Sequence, residues 1–256
     1  MKKLNSIAVL LCAAVLSSCG TKMVRDITGP FPTARIKFFN FGVNAPAVNF
    51  YANTAKVTAI SSTTGTESVL GTGYGLPGSG GFYSAIAPGQ YALAGTIAAA
   101  TDKDLAIAKV NTTITDGKFY SFYISGFYDP AAKTAEGFVV EDPFVPAIDY
   151  SVAYVRFVHA ISNANPLTLY AKSTTTGIEV AVGSTVSYKT AGAFTAVPND
   201  VYDLSARYAG SATNAISRLG VSFIAGKVYT VGAFGDITIA STSATNRPRL
   251  DNTPNR

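Results

Sequence analysis

The stretch YVRFVHAISNANPLTLYA, residues 154–171, lies over RIKFFNFGVNAPAVNFYA, residues 35–52, and that overlay decides the fold. In the earlier copy Arg35, Ile36, Lys37 and Phe38 alternate charged and apolar, the period of a strand buried on one face. By the same alternation Val155, Phe157 and His159 share a face, as do Ile36, Phe38 and Asn40. The likeness continues outward. APGQYAL (87–93) answers VPNDVYDL (197–204), GKFYSF (117–122) answers GKVYTV (226–231), and VVEDP (139–143) answers RLDNTP (249–254). Gly126 precedes Asp142 by 16 residues, and Gly235 precedes Asp251 by the same interval. Four blocks kept in one order mark a tandem duplication.

Within each unit the strand signals are short and regular. Tyr91–Ile97, Leu105–Ile114, Phe119–Phe127 and Val201–Tyr208 read as strands, separated by breakers such as Pro88-Gly89, Asp116-Gly117, Asn165-Pro166 and Pro198-Asn199-Asp200. About seven strands in roughly 110 residues predict an immunoglobulin-like β-sandwich. The expected fold is all-β: two tandem sandwiches at 33–145 and 150–256 after a signal peptide. The joining segment PFVPAIDYS (143–151) holds two prolines, which predicts two restrained beads instead of a floppy tether. Arg247–Asp251 is expected to close the second sandwich as Phe138–Asp142 closes the first, with Asn252–Arg256 frayed.

Composition agrees. Trp is absent, whereas Tyr and Phe number 14 and 15, and Gly numbers 23. Long runs of helix formers are missing. The chain carries 20 Lys and Arg against 15 Asp and Glu, but they are dispersed, which is not the clustered basic stripe of a nucleic-acid binder.

The N-terminus carries an address. Met1-Lys2-Lys3, the apolar run Ile7–Leu16 and the small residues after it form a secretory signal, too short to span a bilayer. Leu16-Ser17-Ser18-Cys19 resembles a lipobox. That resemblance implies a signal peptide at 1–18, diacylglycerol and an amide-linked acyl chain such as palmitate on Cys19, and a lipidated linker at 19–32. Three acyl chains give a stable membrane anchor. Gly20 stands where an inner-membrane retention signal would show Asp, so the expected location is the outer membrane, facing either the periplasm or the surface. Cys12 leaves with the signal and Cys19 is acylated, leaving no thiol for a disulfide, a metal or a nucleophile.

The opening blocks of the two units, together with Pro88-Gly89-x-Tyr91 and Gly226-Lys227-x-Tyr229-Thr230, resemble the bacterial family filed as domain of unknown function 4397. The resemblance covers nearly all of 33–256. It implies a secreted or lipid-anchored β-sandwich, often in tandem, and supplies no functional residues to carry over. Asn49 and Thr168 depart from it where the family has an acidic residue, and Asn40 departs where it has histidine.

Candidate chemistry is sparse. His159 is the one histidine, and Asn40 at its matching position argues for a side chain bonded to the following loop. A metal site or a hydrolytic triad would need partners for it that the chain lacks. The carboxylate pairs Asp102/Asp104, Glu141/Asp142 and Asp200/Asp203 sit at turns and strand ends, where they cap backbone or face water. GTGYGLPGSGG (71–81) is glycine-rich, but Pro77 opposes the helix a phosphate loop needs, so a long hairpin loop is expected. Tyr74, Phe82, Tyr83, Tyr123, Phe127 and Tyr128, in or beside loops, are the candidate ligand-contacting aromatics, the favoured alternative being that they pack the sandwich ends.

The resulting expectation is a non-catalytic envelope module, binding or structural, without cofactor or metal. Its partners would be the membrane through Cys19 and a glycan or envelope protein, with no nucleic acid. The alternative is a fimbrial or surface-filament subunit, with Arg25 or Arg35 as a processing site. A glycan-active hydrolase would require carboxylates from separate loops converging to about 5–9 Å.

Overall fold

The computed structural model describes residues 33–58, 70–143 and 147–255. The signal segment, Cys19, the linker at 19–32, Arg25 and Arg256 lie outside the described residues.

The first half contributes β1 Arg35–Asn40, β2 Val48–Ala52, β3 Ala55–Lys56, β4 Leu76–Pro77, β5 Ser84–Ala85, β6 Gly89–Ile97, β7 Ala106–Ile114, β8 Phe119–Asp129 and β9 Thr134–Asp142. The second contributes β10 Val152–His159, β11 Leu167–Ser173, β12 Glu179–Ala181, β13 Thr190–Ala191, β14 Thr195–Pro198, β15 Asp200–Tyr208, β16 Ile216–Phe223, β17 Val228–Phe234 and β18 Arg249–Pro254. The long strands match the periodic runs of the sequence. Among the described residues the expected count of about seven per unit rises to nine because two- to four-residue strands lie inside the turns.

Each half is a sandwich of two sheets. The first half stacks β4-β1-β8-β9, with β5 also on β1, over β3-β2-β6-β7. The second stacks β13-β10-β17-β18, with β14 on β10, over β12-β11-β15-β16. The duplication is visible in the registers. β1 runs parallel to β8 with Lys37 opposite Ser121, and β10 runs parallel to β17 with Arg156 opposite Thr230. Inside the first sandwich Ile36, Phe38, Phe50, Leu93 and Phe122 form the core, with the Phe38 and Phe50 rings 5.1 Å apart. Val155, Phe157, Leu169, Leu204 and Phe223 do the same in the second. Fully burying one such side chain contributes about 1.5–3 kcal/mol.

A third apolar cluster joins the halves. Phe39, Phe41, Tyr123 and Phe138 from the first pack against Val158, Ala160 and Phe234 from the second. Phe41 and Phe234 stack at 4.2 Å. Strand alternation explains this: Ile36 and Phe38 point into their own sandwich, so Lys37 and Phe39 point out of it, into the other one. β1 is thus buried on both faces, and so is β10. The strand expected to be half-buried is covered on both faces, and the two sandwiches pack as a four-layer stack.

Two local expectations also change. β18 continues through Asn252 and Thr253 to Pro254, paired with β17, so the tail does not fray at Asn252. The glycine-rich loop is not only a loop, because Leu76 and Pro77 pair with Asn40 and Phe39.

Candidate functional site

The candidate site is the seam between the sandwiches, where the buried Lys37, Asp142 and Arg156 gather. Arg156, fully buried in the centre of β10, donates from Nε to Thr230 Oγ1 at 3.0 Å and from Nη1 to Glu141 O at 2.9 Å. Its Nη2 pairs with the Asp142 carboxylate at the end of β9. Asp142 also accepts from Ser121 Oγ at 2.7 Å and from the Tyr83 hydroxyl at 2.6 Å. The Tyr83 hydroxyl in turn accepts from Asn255 Nδ2 at 3.1 Å, and Thr230 donates to Asn255 Oδ1 at 3.1 Å. Lys37, the counterpart of Arg156 on β1, donates Nζ to Pro254 O.

The exchange is reciprocal. The central cation of the second sandwich grips the last strand of the first, and the central cation of the first grips the last strand of the second. Each cation also lies over an aromatic ring of its own sandwich, Lys37 over Tyr83 at 4.2 Å and Arg156 over Phe194 at 4.9 Å. The flanks repeat the pattern. The Gly75 N–H donates to Asn40 O and the Lys189 N–H to His159 O. Beside them Tyr74 meets Phe234 edge-on at 5.8 Å, while Tyr188 shares a 3.0 Å hydrogen bond with Ser125 Oγ. An interface whose two sides present the same elements to each other is the geometry of an isologous contact, here within one chain.

Electrostatics follow from burial. Desolvation lowers the Lys37 ammonium to about 8, opposed by Asp142 and reinforced by Arg156. Burial, then the adjacent Asp142 charge, pushes the Tyr83 hydroxyl far up, and burial does the same to Tyr123. These groups therefore hold their protons at neutral pH. The seam's charged and polar groups are engaged with its own strands.

The residues singled out from sequence fall in several places. Tyr123 is buried between Phe39 and Phe138, at ring distances of 4.6 and 5.0 Å, and so is closed to any ligand. Tyr83 and Tyr74 belong to the seam, and Tyr128 packs on the first core. Phe82 and Phe127 are exposed, 75% and 43%, and remain available for contact. The six aromatics are not one patch, because strand alternation sends neighbours to opposite faces. His159 is buried. Its Nδ1 accepts the Ile161 N–H at 3.2 Å and its Nε2 meets Asn165 O at 3.2 Å, while Asn40 Nδ2 donates to Pro46 O at 3.0 Å. Both side chains tie the loop after the first strand, as the sequence predicts.

The carboxylate pairs separate. Asp102 pairs with Lys133 at 2.5 Å and Glu141 with Lys118 at 2.9 Å, whereas Asp142 turns inward. Asp200 accepts from Ser173 and Thr175, and Asp203 from the Gly220 N–H. Among the described residues no three His, Cys, Asp or Glu side chains group as a metal site. Sequence reading missed Lys37, Arg156 and Asn255. The available signal was a cation kept at the same strand position in both copies, among residues otherwise apolar.

No protein-family model matches the chain. No curated protein matches it either. Among solved structures, a Bacteroides ovatus ATCC 8483 protein described as a candidate cell adhesion protein aligns with 89% of this chain and 97% of its own. Identity is 10% and the TM-score 0.23.

Proposed function

We propose that this protein is a lipid-anchored, non-catalytic module of the bacterial envelope, which presents its surface as one rigid body. The observation that carries the reading is the seam. Buried charges and stacked rings, satisfied by strands of the opposite sandwich, fix the two halves at one distance and orientation. Such a body suits holding or spacing a partner. The anchor rests on Leu16-Ser17-Ser18-Cys19, and the outer membrane on Gly20.

Two measurements test this. Cells producing the full chain are fed an alkyne analogue of palmitate, and label is expected in the membrane fraction and absent from C19A. Label persisting in C19A, or missing from the unsubstituted protein, overturns the anchor. For rigidity, amide exchange at β1 and β10 is expected to be the slowest in the molecule. Exchange there as fast as in the loops removes the single-body reading.

A further inference from the structure

The reciprocal pattern of the seam fails at one place, and there it leaves a cavity. On one flank Lys189 pairs with Glu136 of β9. On the other, the matching loop position is Gly75, with φ +77°, where a Cβ would come within 3.0 Å of the Phe234 ring and 3.2 Å of Arg249 Nη2. Gly75 therefore contributes no side chain there, and its positive φ disfavours one. Opposite it stands Arg249, in register with Phe234, where Glu136 stands in register with Ser125 on the first flank. A lysine–glutamate pair is thus replaced by a glycine and an arginine. Beside them lies a half-open cavity of about 430 Å³, to which both sandwiches contribute.

Its charge is unbalanced. Of the three arginines that line it, Arg218 pairs with Asp251 at 3.0 Å. Arg247 donates to the Ala244 carbonyl at 3.1 Å and Arg249 to the Thr245 carbonyl at 2.8 Å, Arg249 also lies against Tyr74, 5.6 Å from its ring, and among the described residues neither arginine has a carboxylate within ion-pair reach. Arg249 is held in place over the Phe234 ring at 5.0 Å. Two like charges lining one small cavity repel unless an anion lies between them, and guanidinium forks match the oxygens of carboxylate and phosphate. Leu76, 56% exposed, adds an apolar lip from the first sandwich. The volume lies at the small end of ligand pockets.

We propose that this cavity is an anion site, taking a carboxylate or phosphate carried on a polar ligand of about monosaccharide size. The inference gives the module a ligand class and does not depend on the lipid anchor.

Calorimetric titration of the purified protein with glucuronate, glucose 6-phosphate and glucose tests it. One or both acids are expected to bind, more weakly as salt is raised to about 0.5 M, while glucose stays silent. The acid that binds decides between carboxylate and phosphate. R247Q is expected to weaken binding about tenfold or more. Should R247Q melt early, Leu76→Glu supplies the second variant, since it sets a negative charge on an exposed residue and is expected to cause a similar loss. Failure of both acids to bind, equal binding of glucose, or unchanged affinity in a folded R247Q or L76E overturns the site.

Discussion

Lys37 and Arg156 occupy the same place in the two copies of the fold, and they solve the same burial problem differently. Arg156 spreads its charge over a carboxylate, a carbonyl and a hydroxyl. Lys37 has one carbonyl and a tyrosine face. One carboxylate, Asp142, serves both cations, and the arginine holds it directly. A planar fork with five donors can satisfy itself on several strands at once, whereas an ammonium is a point charge that loses its proton more readily when desolvated. The comparison teaches that a duplicated interface need not stay symmetric. The half that captured the carboxylate became the ion pair, and the other half became a cation that can discharge.

The largest test of this difference is Asp142→Ala. It leaves Arg156 buried without its counter-charge and is expected to cost about 3–5 kcal/mol in urea unfolding. A loss under about 1 kcal/mol would mean that the seam opens to water. The next is Lys37→Met, which removes the more weakly held charge and is expected to be near neutral or stabilising at pH 7. It also carries a pH signature. The folded pKa is about 8 against 10.5, so the unfolded chain binds more protons between those values, and stability from this group rises with pH from about 8 toward 10.5. In K37M that rise should vanish.

His159→Asn installs the residue used at Asn40. Burial lowers the imidazole pKa from 6.5, so the folded state resists protonation and stability falls as pH drops through 6.5. H159N should abolish that fall. It should also cost about 1 kcal/mol at pH 7, because the Ile161 N–H loses its acceptor. The smallest expected effect is Lys118→Ala. Its ion pair with Glu141 is solvent-exposed and should change stability by less than about 1 kcal/mol.

Much of the fold was legible from one overlay of residues 35–52 on 154–171. Period two and the breakers located β6, β7, β8 and β15 to within a residue or two, because local alternation and turn chemistry set strand limits. The loop-tying role of His159 was legible for a similar reason, since Asn40 stands in its place and its partners are only a few residues away. The seam was not. Lys37 read as the polar phase of a half-buried strand and Arg156 was not singled out, because charge on that phase ordinarily faces water. Tyr123 read as an accessible aromatic, although strand phase places it in the shared core. The anion cavity was equally hidden, because Leu76 and Arg249 are far apart in the chain and meet only across the seam.

By itself, then, the sequence determined the duplication, the all-β class, the strand phases and which side chains share a face. These depend on neighbours one to four residues away and on backbone sterics. What covers each face was decided only by the tertiary structure. Alternation says that Lys37 and Phe39 leave the first sandwich together, but it carries no information about what they meet. That depends on residues more than a hundred positions away, and on whether their charges find partners once water is gone.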